Sequence, residues 1–456
     1  MPPEHPIEFG GGATQTTLHP IVLVAMLLAI ILIFILPRKY VLAPLLFVAI
    51  LAPFGQQVVL GGVHWFVFRI LVLCGCGRLL VAALTSPSGV FAGGINPVDR
   101  AFFWCTIITA LAVILRFHQM AAVINQGGYL LDYLGGYFLF RALIRDEEDI
   151  RRAIKCFAFI ALVVAIGMAI EQVKQVNVFG ILGGHLTTPD VREGRIRSSG
   201  PFGHEILAGT LGATLLPLFL LLGKNTRAKF MAAVGLVGAT VMMVTSNSAT
   251  PLLAYAGGLL AVAFWPVRKN MRTIRWGIVV GLMLLQLVMK APFWFVIAHI
   301  KLVPGSSSWH RAEIVDLCIR HFFDWWLIGT KNTGEWGFWM WDTQDQFVSV
   351  AERGGLAGLI FFVLMISRCF GRLGKARKAV EGDTEKEWFL WFLCAALFSH
   401  VTGFFGVNYF DQTVFAWFAL LAMISAATAF LDKPTVKAEG SVKAELVDTP
   451  MAYSSS

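Results

Sequence analysis

The sequence predicts an all-α, polytopic helical membrane protein with about 12–13 transmembrane helices, and three observations carry that reading. Hydrophobic residues fill 57% of the 456 positions, only 14% are charged, and mean hydropathy is +0.70. Apolar runs of about 20 residues recur from end to end, the length a helix needs to cross hydrocarbon while satisfying its own backbone. Cations collect in alternate connections between those runs. Length alone fits about three soluble domains of roughly 150 residues each. The composition overrides that prior in favour of a single transmembrane domain over residues 19–430.

Spans are expected at about 19–36, 40–54, 63–84, 101–118, 120–144, 153–172, 205–222, 229–246, 250–266, 276–293, 347–367, 387–406 and 410–430. Arg38 and Lys39 fall on one side, as do Arg145 with Arg151, Arg152 and Lys155, and Lys224 with Arg227 and Lys229. Arg268, Lys269, Arg272 and Arg275 join them, followed by Arg368, Arg372, Lys375, Arg377 and Lys378. The positive-inside bias makes that side cytoplasmic, and the net charge of +9 reports this bias rather than a nucleic-acid partner. The acidic DEED at 146–149 reads as a solvated loop on the same side. Residues 1–18 lack a cationic n-region, so the first span is expected to act as the insertion signal. Residues 431–456 are weakly hydrophobic and read as a disordered cytoplasmic tail.

The seven cysteines are scattered, five of them inside expected spans, and form neither a disulfide framework nor a zinc-ligand spacing. No metal or cofactor is expected. The chemistry is sought instead in two long connections on the outer side, about 173–204 and 294–346.

The first ends in VREGRIRSSGPFGHEILAG, where Arg192, Arg195 and Arg197 precede a Pro-Phe-Gly turn and His204-Glu205. Three cations in six residues run against the charge bias on this side and point to an anion site; lipid headgroups or water are the plainer partners. His204 and Glu205 stand at a helix start, where such groups meet free N–H donors.

The second connection contains WHRAEIVDLCIRHFF, with helical character over 308–323 after the hydroxyls of GSSS. His310, Ile314, Leu317 and His321 share a face, whereas Arg311 and Arg320 point to nearly opposite faces. Arg311 is therefore the expected phosphate contact, and Arg320 suits a pair with Glu313 or Asp316. Six tryptophans between 309 and 341 fit both a membrane interface and sugar stacking. Asp342 and Asp345 open the next span, where capping competes with a chemical role. Glu352 and Arg353 lie deeper and are expected to pair with each other.

An arginine-lined outer cavity suits a diphosphate, because guanidinium groups bind phosphate bidentately and stay charged. If the diphosphate leaves, the same groups stabilise its developing charge, and a nearby His or carboxylate takes the acceptor proton.

The order of parts resembles the O-antigen ligase and O-antigen polymerase superfamily of bacterial membrane glycosyltransferases. LGGYFLFRALIRDEEDIRR (134–152) is similar to a span and cytoplasmic turn of that group, and RIRSSGPFGHEILAG (195–209) to its Arg-x-x-Gly-x-Phe segment. TSNSAT (245–250) stands where the family has Thr-x-Ser-Arg, without the arginine. WHRAEIVDLCIRHFFDWWLIGT (309–330) resembles the outer-loop Arg helix, and AERGGLAGLIFF (351–362) the Glu-x-Gly-x-x-Gly start of a span. The likeness covers about residues 120–430 and lies mostly in the order of the motifs.

It implies transfer of a polyprenyl-diphosphate-linked glycan to a saccharide acceptor at the outer face of the bacterial inner membrane, inverting and metal-independent. Arg197 and Arg311 match the family's diphosphate contacts, with Arg195 beside them; His204, Glu205 and Glu352 are supporting residues. Many members place a histidine nine residues before the glutamate, where this chain has Thr343. The acceptor-activating role then falls to His310, Asp342 or Asp345, and a polymerase or exopolysaccharide role is favoured over a ligase. Expected partners are the lipid-linked donor, the acceptor, membrane lipid, and polysaccharide export or chain-length proteins. A secondary transporter or flippase is the competing reading, with Asn125-Gln126-Gly127-Gly128 as its best feature. A membrane scaffold without substrate is a third.

Overall fold

The computed structural model describes residues 15–85, 89–299 and 308–432. Most of the expected N-terminal segment, Gly305–Ser307 of the expected helix cap, and the tail from 433 onward lie outside the described residues. The chain is all-α. Helices α1 (Pro20–Ile35) and α2 (Arg38–Leu51) precede a short ribbon, β1 (Gln57–Leu60) and β2 (Val63–Phe66), followed by α3 (Val67–Thr85) and α4 (Pro97–Phe117). Helix α5 (Met120–Leu130) continues through a π-helical turn, Leu131–Gly135, into α6 (Gly136–Leu143) and then α7 (Glu147–Lys174). A second ribbon, β3 (Asp190–Arg192) and β4 (Arg195–Arg197), leads to α8 (Glu205–Gly223), α9 (Lys229–Thr245), α10 (Ala249–Ala263) and α11 (Met271–Val288). The second long connection holds α12 (Ser308–Arg320) and α13 (Phe322–Trp325), before α14 (Gln346–Ala379), α15 (Thr384–Phe404) and α16 (Thr413–Ala427).

Each of the thirteen expected spans contains helix, though the one at 63–84 opens on strand β2, and eight helices among the described residues are long and apolar enough to cross a membrane. Of the others, α1, α10 and α16 are shorter apolar helices. Helix α2 has 14 residues and begins on Arg38 and Lys39. The span expected at 120–144 is interrupted by the π turn at Leu131–Gly135, while Gly127-Gly128 lies before it in regular α5.

Helix α8 runs through the centre, packed by α7, α9, α10 and α15, and is buried along almost its whole length. Small residues allow this: a side chain at Gly209 would strike Ser246 and Pro251, and one at Gly212 the backbone of Ala239. Close backbone approach of this kind is how helices associate where lipid offers no hydrophobic driving force. Helix α16 is likewise enclosed, whereas α11 has no buried residue.

The two ends of the bundle differ as the charge alternation implies. At one end Arg38 meets Asp149 at 2.5 Å, Arg268 meets Glu387 at 2.9 Å and Lys269 meets Glu381 at 2.9 Å. The DEED residues form the N-cap and first turn of α7 rather than a solvated loop: Asp146 caps the helix, Glu147 and Glu148 answer Arg151 and Arg152, and Asp149 is buried against Arg38. At the other end the loops converge on Pro201, whose carbonyl accepts from Phe54 N at 3.0 Å and Gln412 Nε2 at 2.9 Å. Arg141 and Asp99, fully buried and 2.9 Å apart, tie α6 to α4 with Tyr137 and are spent on structure.

Candidate anion site at the loop-bearing end

Glu193 and Gly194 both have positive φ, 50° and 73°, as a two-residue hairpin turn with its strands' twist requires. The turn sets Asp190 opposite Arg197 and Arg192 opposite Arg195. With a side-chain period of two, Asp190, Arg192, Arg195 and Arg197 all project from one face of the ribbon. Arg197 is buried, ion-paired to Asp190 at 3.0 Å and in contact with Glu205. Arg192 and Arg195 are exposed.

The segment that follows is fixed from several helices. Gln172 Nε2 donates to Ile196 O at 2.8 Å and to Thr245 O at 2.7 Å, and Asn247 Nδ2 donates to Ile196 O at 2.6 Å. Glu171 accepts from Gly200 N at 3.0 Å, and Asn177 Nδ2 donates to Gly200 O at 2.8 Å. His204 is the N-cap of α8, its Nδ1 accepting from Ile206 N at 3.2 Å, and Glu205 occupies the first turn. The TSNSAT turn, though it lacks an arginine, thus holds the strand that carries two of them.

Helix α12 brings Arg311 to this cluster. Arg311 is 5% exposed and has no acidic partner among the described residues, and its Nε finds no hydrogen-bond acceptor. Burial, and then the guanidinium groups of Arg192 and Arg197, hold its ionisation down at about 10. The Nε of Arg197 is also buried without an acceptor. Arg320 behaves as its helical position predicts, 69% exposed in its side chain and paired with Asp316 at 2.7 Å.

The expected acid–base residues divide. His310 is half-buried and lies 3.7 Å from Glu313. Asp342 accepts from Gln344 Nε2 at 2.9 Å. Asp345 caps α14 by accepting from Phe347 N at 2.8 Å and Val348 N at 3.0 Å, and burial pushes its carboxyl up to about 6 against those bonds. The pair expected between Glu352 and Arg353 does not form: Glu352 Oε2 accepts from Thr343 Oγ1 at 2.6 Å. The residue in the family's histidine position is therefore the one that touches the glutamate.

This acidic cluster and the arginine cluster share α12. Cys318, seven residues beyond Arg311, is buried near Asp345 and Glu352; burial first, then those carboxylates, push its thiol up to about 12. Seven residues at 1.5 Å each put Cys318 about 10 Å beyond Arg311 along one face of α12. Trp325 and Trp336 are buried in a small core, while Trp309, Trp326, Trp339 and Trp341 stay exposed.

A break in α14 completes the site. Gly355 has φ 64°, and Leu356 N donates to Trp326 O at 2.8 Å. The freed carbonyl of Glu352 accepts from Thr330 N at 2.9 Å and Arg116 Nη1 at 2.6 Å. Sequence reasoning passed over Arg116, Glu171, Gln172 and Asn247. The ionisable residues among them interrupt apolar runs, which was the available signal. No protein-family model matches the chain, and no curated protein matches it.

Proposed function

We propose that the chain transfers or polymerises a polyprenyl-diphosphate-linked oligosaccharide onto an acceptor glycan at the outer face of the bacterial cytoplasmic membrane. One observation carries this reading: Arg311 is buried, has no acid to pair with among the described residues, and is close enough to Arg192 and Arg197 to feel their charge. Arg197 has Asp190 and Glu205 and Arg192 reaches solvent, so the uncompensated charge is that of Arg311, costly to bury without an anion, and phosphate oxygens match guanidinium geometry. The cation-rich end faces inward under the charge bias, so the site faces outward.

In the proposed reaction the bond from the anomeric carbon to the diphosphate oxygen breaks, and the diphosphate leaves with the electron pair to be held by Arg197 and Arg311. The acceptor hydroxyl oxygen bonds to that carbon on the opposite face, and its proton passes to a carboxylate. Glu352, held by Thr343, and Asp345 are the candidates for that base. The order of motifs, which resembles that of O-antigen ligases and polymerases, supports the same transfer reaction and leaves the base open among His310, Asp342 and Asp345. Surface glycan chain length, compared between cells carrying the wild type and Arg197→Ala or Arg311→Ala, tests it. Shortened or missing polymer is expected, and an unchanged distribution in both variants removes the proposal.

A transport reading draws on the break in α14 and the π turn after α5, since interrupted helices line the binding sites of many transporters. Counterflow of a labelled anionic solute through proteoliposomes, undiminished in Arg311→Ala, would favour it.

A further inference from the structure

Below the loops, a cavity of about 260 Å³ lies among α2, α3, α5, α14 and α16. A smaller one of about 60 Å³ shares Tyr129, Tyr133, Arg353 and Val414 with it. Neither is lined by Arg195, Arg197 or Arg311. Six phenylalanines, at 54, 66, 68, 410, 415 and 418, make the wall of the larger cavity strongly apolar.

The charges on that wall are nearly all spent. Arg69 and Asp132 form a bidentate pair, Nε to Oδ1 at 2.8 Å and Nη2 to Oδ2 at 2.6 Å. Asp411 accepts from Gly203 N at 3.2 Å, and from Thr413 N at 3.0 Å and Oγ1 at 2.9 Å. Arg353 is the exception. It has no ion pair among the described residues, and its neighbour Glu352 is engaged by Thr343. A cation inside a membrane helix is expensive unless a partner or a wet cavity receives it. Here it borders a cavity whose apolar surface equally lacks a partner.

We propose that this cavity binds an anionic amphiphile, a lipid whose phosphate sits against Arg353 and whose apolar portion lies along the phenylalanine wall. Each rival occupant leaves one feature unanswered. A free phosphate ion would leave the aromatic wall facing water, and a zwitterionic or neutral lipid would leave Arg353 without net countercharge. The proposal does not depend on glycosyl transfer, because Arg353 stands outside the arginine cluster that carries that reading.

The test uses the full-length protein in detergent with phosphatidylglycerol bearing a diazirine near the head of one acyl chain. Irradiation should label peptides of α3 and α16. Arg353→Gln should lower that labelling by about tenfold, the loss expected for one charge-assisted hydrogen bond. Ala49→Leu, which fills part of the cavity without altering charge, should lower it as well. Unlabelled phosphatidylglycerol should compete, and glycerol phosphate should not. Unchanged labelling in Arg353→Gln, equal labelling by the matching phosphatidylcholine probe, or competition by glycerol phosphate would each overturn the proposal. Should Arg353→Gln fail to fold, Ala49→Leu and Arg353→Lys decide: loss in the first and retention in the second are expected, and the reverse refutes it.

Discussion

Replacing Arg311 by methionine should stabilise the empty protein while weakening anion binding, two effects that a purely structural arginine would not combine. The guanidinium is held at about 10 in this site, well below its ordinary value. At 1.36 kcal/mol per decade, that difference sets roughly 3 kcal/mol against its charged form, an upper bound that solvent screening reduces. Above about 10 the unfolded chain binds the proton more tightly, so stability rises as pH climbs past that value. At neutral pH the strain is fully present. Methionine fills much of the same volume and removes the charge, so the ligand-free melting temperature should rise. The diphosphate loses a charge-assisted contact worth about 1.5–3 kcal/mol, or roughly 10- to 150-fold in affinity. Thermal unfolding in detergent, with and without farnesyl diphosphate as probe, reads both effects through the stabilisation that binding confers. A lower ligand-free melting temperature with an unchanged ligand-induced shift would refute the reasoning.

Three further outcomes are expected. Arg320→Ala removes an exposed cation from the buried Asp316, which keeps the Trp294 Nε1 bond at 3.3 Å, and should cost about 1 kcal/mol with glycan length unaltered. Asp345, raised from 3.8 to about 6, should contribute less stability as pH climbs through that range; Asp345→Asn keeps the cap, so melting curves from pH 4 to 7 should show it more stable at the upper end. If Asp345 is the acceptor base, that well-folded variant should also lose transfer. At Gly355, with φ 64°, an added Cβ would come 2.7 Å from Leu327 O, so Gly355→Ala should cost about 2–3 kcal/mol in denaturant unfolding through left-handed strain and the lost Leu356–Trp326 bond.

The helical architecture was legible because hydropathy and cation alternation are local properties of the chain. Every expected span contains helix, and the basic connections gather at one end. The interruptions were harder to read: Gly127-Gly128 lies in regular helix just ahead of the π turn rather than in it, and nothing in AERGGLAG distinguished Gly355 from a packing glycine. For the site, the helical angle between Arg311 and Arg320 separated the buried cation from the exposed one. Periodicity could not show that Arg192 joins Arg197 on one ribbon face, since that depends on where the Glu193-Gly194 turn sets the register. Nor could it show that Glu352 would turn to Thr343 and leave Arg353 unpaired. Those are long-range choices, made when α12, α14 and the 195–205 turn pack together.

The most direct measurement is transfer by the purified protein in proteoliposomes, using a radiolabelled polyprenyl-diphosphate oligosaccharide and an unlabelled saccharide acceptor. The account predicts one polyprenyl diphosphate released for each glycosidic bond formed, with both products falling together in Arg197→Ala and Arg311→Ala. Label that crosses the bilayer with no new bond, or transfer at the wild-type rate in both variants, would contradict it.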